Sequence, residues 1–170
     1  KRIDLAVEAA SRLGLPLTVA GNGPDHEKLK SIAGPTVTFA TNVSDARMVR
    51  YFQEAKGFLF PGIDDFGITP VEAMAAGTPV LAFKAGGALD YVSPGKTGLF
   101  FEEQTAASLE SCLKEAEKKK WNEATIVKKA AQFSPGKFRA QMKQIIDTAY
   151  AHRLDTLSED ASQRPGDQPA

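Results

Sequence analysis

The stretch FPGIDDFGITPVEAMAAGTPV, running from Phe60 to Val80, decides how this chain folds. Just before and into it, Gly57-Phe58-Leu59-Phe60 is a short apolar run that reads as a buried strand, and Pro61-Gly62 breaks the ladder behind it. A loop carrying Asp64 follows. Thr69 has the character of an N-cap, Pro70 suits the first helical position, and Glu72 falls where a capping-box acid belongs. Val71, Ala73, Met74, Ala75 and Ala76 propagate a helix that Gly77 and Pro79 stop. Strand, loop and helix in this order bring free backbone N–H groups and the positive end of a helix to the carboxyl edge of a parallel sheet, where an anion is favoured.

The same unit repeats along the chain. A helix is predicted over Asp4–Leu13, then a strand at 16–20, a helix over Asp25–Ile32, a strand at 36–39 and a helix over Asp45–Ala55 opened by Ser44. Strands at 57–60, 79–83 and 98–101 alternate with the motif helix and a short helix ending at Tyr91. Such alternation with short connections predicts an α/β, Rossmann-like, doubly wound parallel sheet with its ligand edge at the strands' carboxyl ends. From Thr105 onward the pattern is helical, with segments predicted from Trp121 to Phe133 and from Pro135 to about Arg153. The polar, Pro- and Gly-bearing segment from Leu154 to Ala170 reads as a disordered tail.

Composition narrows the function classes. The 170 residues, 42% of them hydrophobic, suffice for one sizeable core, and no apolar run is long enough to span a bilayer. The 21 basic and 21 acidic residues cancel, so no nucleic-acid surface is indicated. Cys112 is the single cysteine and sits on an apolar helical face, and the widely separated His26 and His152 make a zinc site a poor fit. Lys118-Lys119-Lys120 reads first as a solvated helix end and second as a contact for acidic lipid. On residues alone, Glu72 is a capping acid and Asp64 a solvated turn residue. Gly86-Gly87, after the strand Val80-Leu81-Ala82-Phe83, is either an ordinary strand-to-helix turn or a close approach to a ligand.

The stretch as a whole resembles the family 4 retaining glycosyltransferases of the GT-B fold, whose signature is an acid, seven residues, then Glu, with Phe-Gly inside and Glu-Ala-Met-Ala and Gly-x-Pro-Val after it. Here the matching residues are Asp64, Phe66-Gly67, Glu72-Ala73-Met74-Ala75 and Gly77-Thr78-Pro79-Val80. Gly21-Asn22-Gly23-Pro24 resembles the family's Gly-x-Gly-Pro turn, and Thr97-Gly98-Leu99 its Thr-Gly-Leu strand. The chain departs from the pattern with Asp64 and Asp90 where Glu is usual and Thr41 where a glycine is common. The form Asp64-Asp65-Phe66-Gly67 followed by Ile68-Thr69-Pro70 looks most like the mannosyltransferase branch.

The resemblance implies a donor-binding domain over residues 1–153 of a hexosyltransferase, lacking its first strand and its N-terminal acceptor domain, and inactive without that domain. It implies that Glu72 binds the ribose hydroxyls of the donor and that Asp64 stands near the hydroxyls of the transferred sugar. Lys1, with Arg2 to Ala10 matching the family's helix, would grip the diphosphate; the family's partner arginine would lie upstream. Phe66, Gly67, Ile68 and Thr69, together with Gly21, Gly23, Gly86 and Gly87, would line the donor. The donor is then GDP-mannose or a UDP-hexose, as substrate, with no cofactor or metal, and the acceptor a carbohydrate or a lipid-linked hydroxyl. A cytoplasmic location is implied, peripheral to the inner membrane surface in a longer parent.

Overall fold

The computed structural model describes residues 1–162, with side chains through residue 153. Two compact units are present, Lys1–Ala131 and the segment from Gln132 onward.

In the first unit the elements alternate as α1 (Ile3–Leu13), β1 (Leu17–Ala20), α2 (His26–Ile32), β2 (Val37–Ala40), α3 (Asp45–Glu54), β3 (Phe58–Phe60), α4 (Ile68–Ala75), β4 (Val80–Phe83), α5 (Ala88–Tyr91), β5 (Gly98–Phe101), α6 (Ala106–Glu117) and α7 (Glu123–Ala130). Every ladder is parallel, with Leu17 opposite Val37, Phe58 opposite Val80 and Val80 opposite Gly98. The alternation expected from the sequence is therefore present. One difference stands out: the strands form two sheets, β1-β2 and β3-β4-β5, with no ladder joining β1 to β3 among the described residues.

Helices cover both faces of the larger sheet. Leu81, Leu99 and Phe101 pack with Leu5, Ala6 and Ala9 of α1 and with Ala106, Leu109 and Cys112 of α6. Strand side chains alternate between faces, so Phe60, Val80 and Ala82 take the opposite face, where α4 lies against β3 and β4 and α7 lies against α4. Cys112 is thus a core residue, and burial, helped by the charge of Glu115, pushes its thiol up to about 12. Side-chain caps open the helices the sequence marks: Ser44 accepts from the Arg47 N–H, Thr105 from Ser108 and Asn122 from Thr125.

The motif helix begins earlier than predicted. Gly67, in the left-handed region with φ +84°, is the N-cap of α4, Ile68 is its first residue, and no side chain caps it. Thr69 is therefore not the cap, and Glu72 lies beyond the capping-box position. Proline is tolerated throughout the first turn because those N–H groups have no partner within the helix, so Pro70 does not fix the start.

In the second unit α8 spans Pro135–Ser162. It continues past Arg153 into the segment predicted to lack structure, because no glycine or proline interrupts residues 137–162; residues 163–170 of that segment lie outside the described residues. Phe138, Met142, Ile145, Ile146 and Tyr150 are exposed along it.

Candidate functional site

Three chain segments meet at the carboxyl end of β3. The first is the 61–67 connection, the second the 84–87 connection after β4, and the third the start of the chain. Gly87 donates its N–H to the Asp64 carbonyl at 3.0 Å. A Cβ on Gly86, which has φ +58°, would stand 2.5 Å from that same carbonyl oxygen, and one on Gly87 would run into the backbone of Phe66 and Asp65. The two glycines therefore permit a close approach, but the partner is the acid-bearing loop, and the Gly87 N–H is already taken. On the other side, the backbone of Lys1 abuts Gly62, where a Cβ would meet the Lys1 carbonyl oxygen at 2.8 Å.

Two residues hold this junction that sequence reasoning did not single out. Tyr91 is fully buried beneath the loop, its ring edge-on to Phe66 at 6.1 Å between centroids and its hydroxyl 2.7 Å from where a Gly67 Cβ would be. Burial, with the charges of Asp64 and Asp90 behind it, raises the phenol well above its usual range, so Tyr91 is a neutral prop. Gln104 donates from Nε2 to the Pro61 carbonyl at 2.9 Å, and its Oε1 accepts from Arg2 at 3.5 Å. Nothing local signals either role, since Gln104 and Pro61 are 43 residues apart. Arg2 also pairs with Asp4 at 3.1 Å. Burial works against the Asp4 charge, but the Arg2 hydrogen bond and charge outweigh it and hold the carboxyl below its ordinary value.

The residues singled out from the sequence divide into groups. Lys1, Asp64 and Thr69 line one cavity of about 1410 Å³, which continues inward between β1 and β3. Asp64 and Thr69 are half-buried and Lys1 exposed. Glu72 is exposed on the second turn of α4, and its carboxylate makes no hydrogen bond or ion pair among the described residues. Phe66 and Ile68 present apolar surface around Gly67, with Ile68 68% exposed. Gly86 and Gly87 back the loop as above. Gly21, at φ +120°, and Gly23 sit in an exposed turn at the carboxyl end of β1 with open space around them, outside the contacts that join the other three segments. Among the described residues, no group of His, Cys, Asp and Glu could hold a metal ion, and no helix is long and apolar enough to cross a membrane.

Chemically, the junction offers the Asp64 carboxylate, a lysine, and the first-turn N–H groups of α4, where the positive end of the helix dipole favours anions, while the Glu72 carboxylate is exposed further along that helix. Carboxylates suit hydroxyl donors, and lysine with helix amides suits phosphate oxygens.

Known proteins resemble this chain in sequence and fold. The chain is 35% identical over 103 residues to a GDP-mannose-dependent alpha-mannosyltransferase of Mycolicibacterium smegmatis, covering 60% of this chain and 27% of that protein. It is 40% identical over 68 residues to the alpha-1,3/1,6-mannosyltransferase ALG2 of Rhizomucor pusillus, covering 39% and 15%. Among solved structures, a sucrose-phosphate synthase of Thermosynechococcus elongatus superposes with a TM-score of 0.72 at 26% identity, over 88% of this chain and 42% of that one. The lipopolysaccharide outer core galactosyltransferase WaaB gives a TM-score of 0.77 at 18% identity, which speaks for the fold alone. The chain spans about a quarter of the length of the mycobacterial relative and less than half of the matched structures. Residues 1–133 match the family described as glycosyl transferases group 1, and the chain belongs to that family.

Proposed function

We propose that this domain binds a nucleotide diphosphate sugar and forms the donor half of a retaining hexosyltransferase, which passes a hexose to a carbohydrate or lipid-linked hydroxyl held by a separate acceptor domain. The observation that carries this reading is the pair of unengaged carboxylates on one loop and helix, Asp64 half-buried in a cavity that Lys1 also lines and Glu72 exposed with no capping duty. A carboxylate that serves no internal bond is available to accept from two vicinal hydroxyls.

In this reading Glu72 accepts from the ribose hydroxyls and Asp64 faces the hydroxyls of the sugar. Lys1 and the first N–H groups of α4 offset the charge that builds on the departing diphosphate. Phe66, Gly67, Ile68 and Thr69 border the donor, with the turn at Gly21 and Gly23 contributing from β1 and the Gly86-Gly87 turn fixing the loop from behind. Retention follows if the leaving phosphate assists the incoming hydroxyl on the same face, so neither carboxylate need become a covalent nucleophile. No metal or cofactor is assigned to the protein. GDP-mannose is the first choice of donor, supported by a relative named as GDP-mannose-dependent. A UDP-hexose is the second.

Calorimetric titration with GDP-mannose, GDP, UDP-glucose and UDP tests the reading. Saturable binding confined to one base selects the donor. Indifference to every nucleotide, in a chain that also carries its acceptor domain, would instead support a non-catalytic interaction domain.

A further inference from the structure

The turn that leaves β1 sets Asn22 directly ahead of Gly23. The β1–β2 ladder ends where the Gly21 N–H donates to the Ala40 carbonyl at 2.9 Å. Beyond it, the Gly23 N–H meets the Asn22 Oδ1 at 2.9 Å and has no backbone acceptor among the described residues. A backbone nitrogen thus lies against the carboxamide of the residue before it. Attack on that carboxamide carbon closes a succinimide ring through the Cγ, Cβ, Cα and carbonyl carbon of Asn22.

The fold leaves this attack open. Regular structure suppresses it by pinning the backbone and engaging the attacking N–H, and exposed backbone outside such elements is the least restrained part of a domain. Asn22 and Gly23 are exposed and belong to no helix or strand. Gly23 has no side chain to crowd its nitrogen, and no atom stands within 4 Å of where its Cβ would be.

The other two asparagines provide a comparison inside the same molecule. Asn42 precedes Val43, whose branched side chain crowds the nitrogen. Asn122 is the N-cap of α7, its Oδ1 accepting from the Thr125 N–H at 3.0 Å, and Glu123 after it is already helical.

We propose that Asn22 is a site of self-modification, deamidating spontaneously through a succinimide formed with Gly23. The Gly23 amide gives its proton to solvent and its nitrogen bonds to the Asn22 Cγ; the bond from that carbon to the side-chain nitrogen breaks, and ammonia leaves. Water then adds to one of the two imide carbonyls. Addition at the side-chain carbon restores the ordinary backbone with a carboxylate at position 22. Addition at the main-chain carbon routes the chain through the Cβ as an isoaspartyl link. Only water is consumed, and either product carries a new negative charge. The isoaspartyl link also lengthens the main chain just ahead of α2, where the His26 N–H donates to the Gly23 carbonyl at 3.1 Å. A further consequence rests on the donor reading above: a negative charge at this turn opposes a bound diphosphate.

Incubation of the folded chain at mildly alkaline pH, followed by peptide mass spectrometry with fragmentation that distinguishes isoaspartate, tests this. Asn22 should lose ammonia at a rate within about tenfold of that in urea, a barrier difference of roughly 1.4 kcal/mol or less, while Asn42 and Asn122 remain intact. Gly23→Ala keeps the fold, since open space receives the methyl, and crowding of the nitrogen should slow the loss by about tenfold or more. Stronger protection of folded Asn22, equal loss at all three asparagines, a product free of isoaspartate, or an undiminished rate in Gly23→Ala would overturn the proposal. The mass readout uses no nucleotide, so a fresh protein that ignores GDP counts against the donor reading alone.

Discussion

Gly87 and Asp64 are joined through their backbones, the Gly87 N–H donating to the Asp64 carbonyl at 3.0 Å, and the glycine carries no side chain because the backbone of Phe66 and Asp65 occupies its place. The acid-bearing loop is thereby held from behind, and the Asp64 side chain takes no part in the contact. Gly87→Ala should shift the loop and cost about 1 to 3 kcal/mol of stability, the usual cost of overpacking against atoms that cannot yield. Gly23→Ala, where open space surrounds the added methyl, should stay within about 0.5 kcal/mol of the parent. Denaturant midpoints of the two variants check the contrast.

Thr78 is 3% exposed, and its hydroxyl donates to the carbonyl of Phe52 in the last turn of α3. Thr78→Val keeps the shape but removes one of the two donors to that carbonyl, the Ala55 N–H remaining at 3.3 Å, and should cost about 0.5 to 1.5 kcal/mol. Urea unfolding of the variant is the measurement. A neutral result would mean that the Ala55 N–H alone satisfies the carbonyl.

The Arg2–Asp4 pair sets a pH dependence at the start of α1. Because the folded state lowers the Asp4 pKa below 3.8, this carboxylate contributes stability above 3.8 that is lost as pH falls through the lower folded value. Both side chains are partly exposed, so solvent screens the pair and the effect is small. Thermal melts of the parent and of Asp4→Asn should converge at acid pH and separate, with the parent more stable, toward neutrality.

Much of this architecture was legible in the sequence because its punctuation is local. Ser44, Thr105 and Gly77 mark helix ends by their own chemistry, and apolar runs such as Val80–Phe83 mark strands. The start of α4 was misplaced because Thr69-Pro70 carries a strong cap signal, whereas Gly67 at positive φ can begin the helix without any side chain. The purpose of Gly86 and Gly87 was only half legible: two glycines announce a close approach, but not that the partner is the loop at Asp64–Phe66 rather than a ligand. Tyr91 and Gln104 left no signal, since their roles exist only across the tertiary fold. The division of the strands into two sheets was equally silent, because strand propensity says nothing about which edges meet.

Glu72 gives the most direct test. It is exposed and uncommitted, so Glu72→Gln should leave stability within about 0.5 kcal/mol. If its carboxylate accepts from the ribose, titration with GDP and GDP-mannose should show affinity reduced by about 1 to 3 kcal/mol, the range of charge-assisted hydrogen bonds. Weakened binding at unchanged stability is the expected result. Equal affinity in parent and variant would contradict the assignment of Glu72 to the donor.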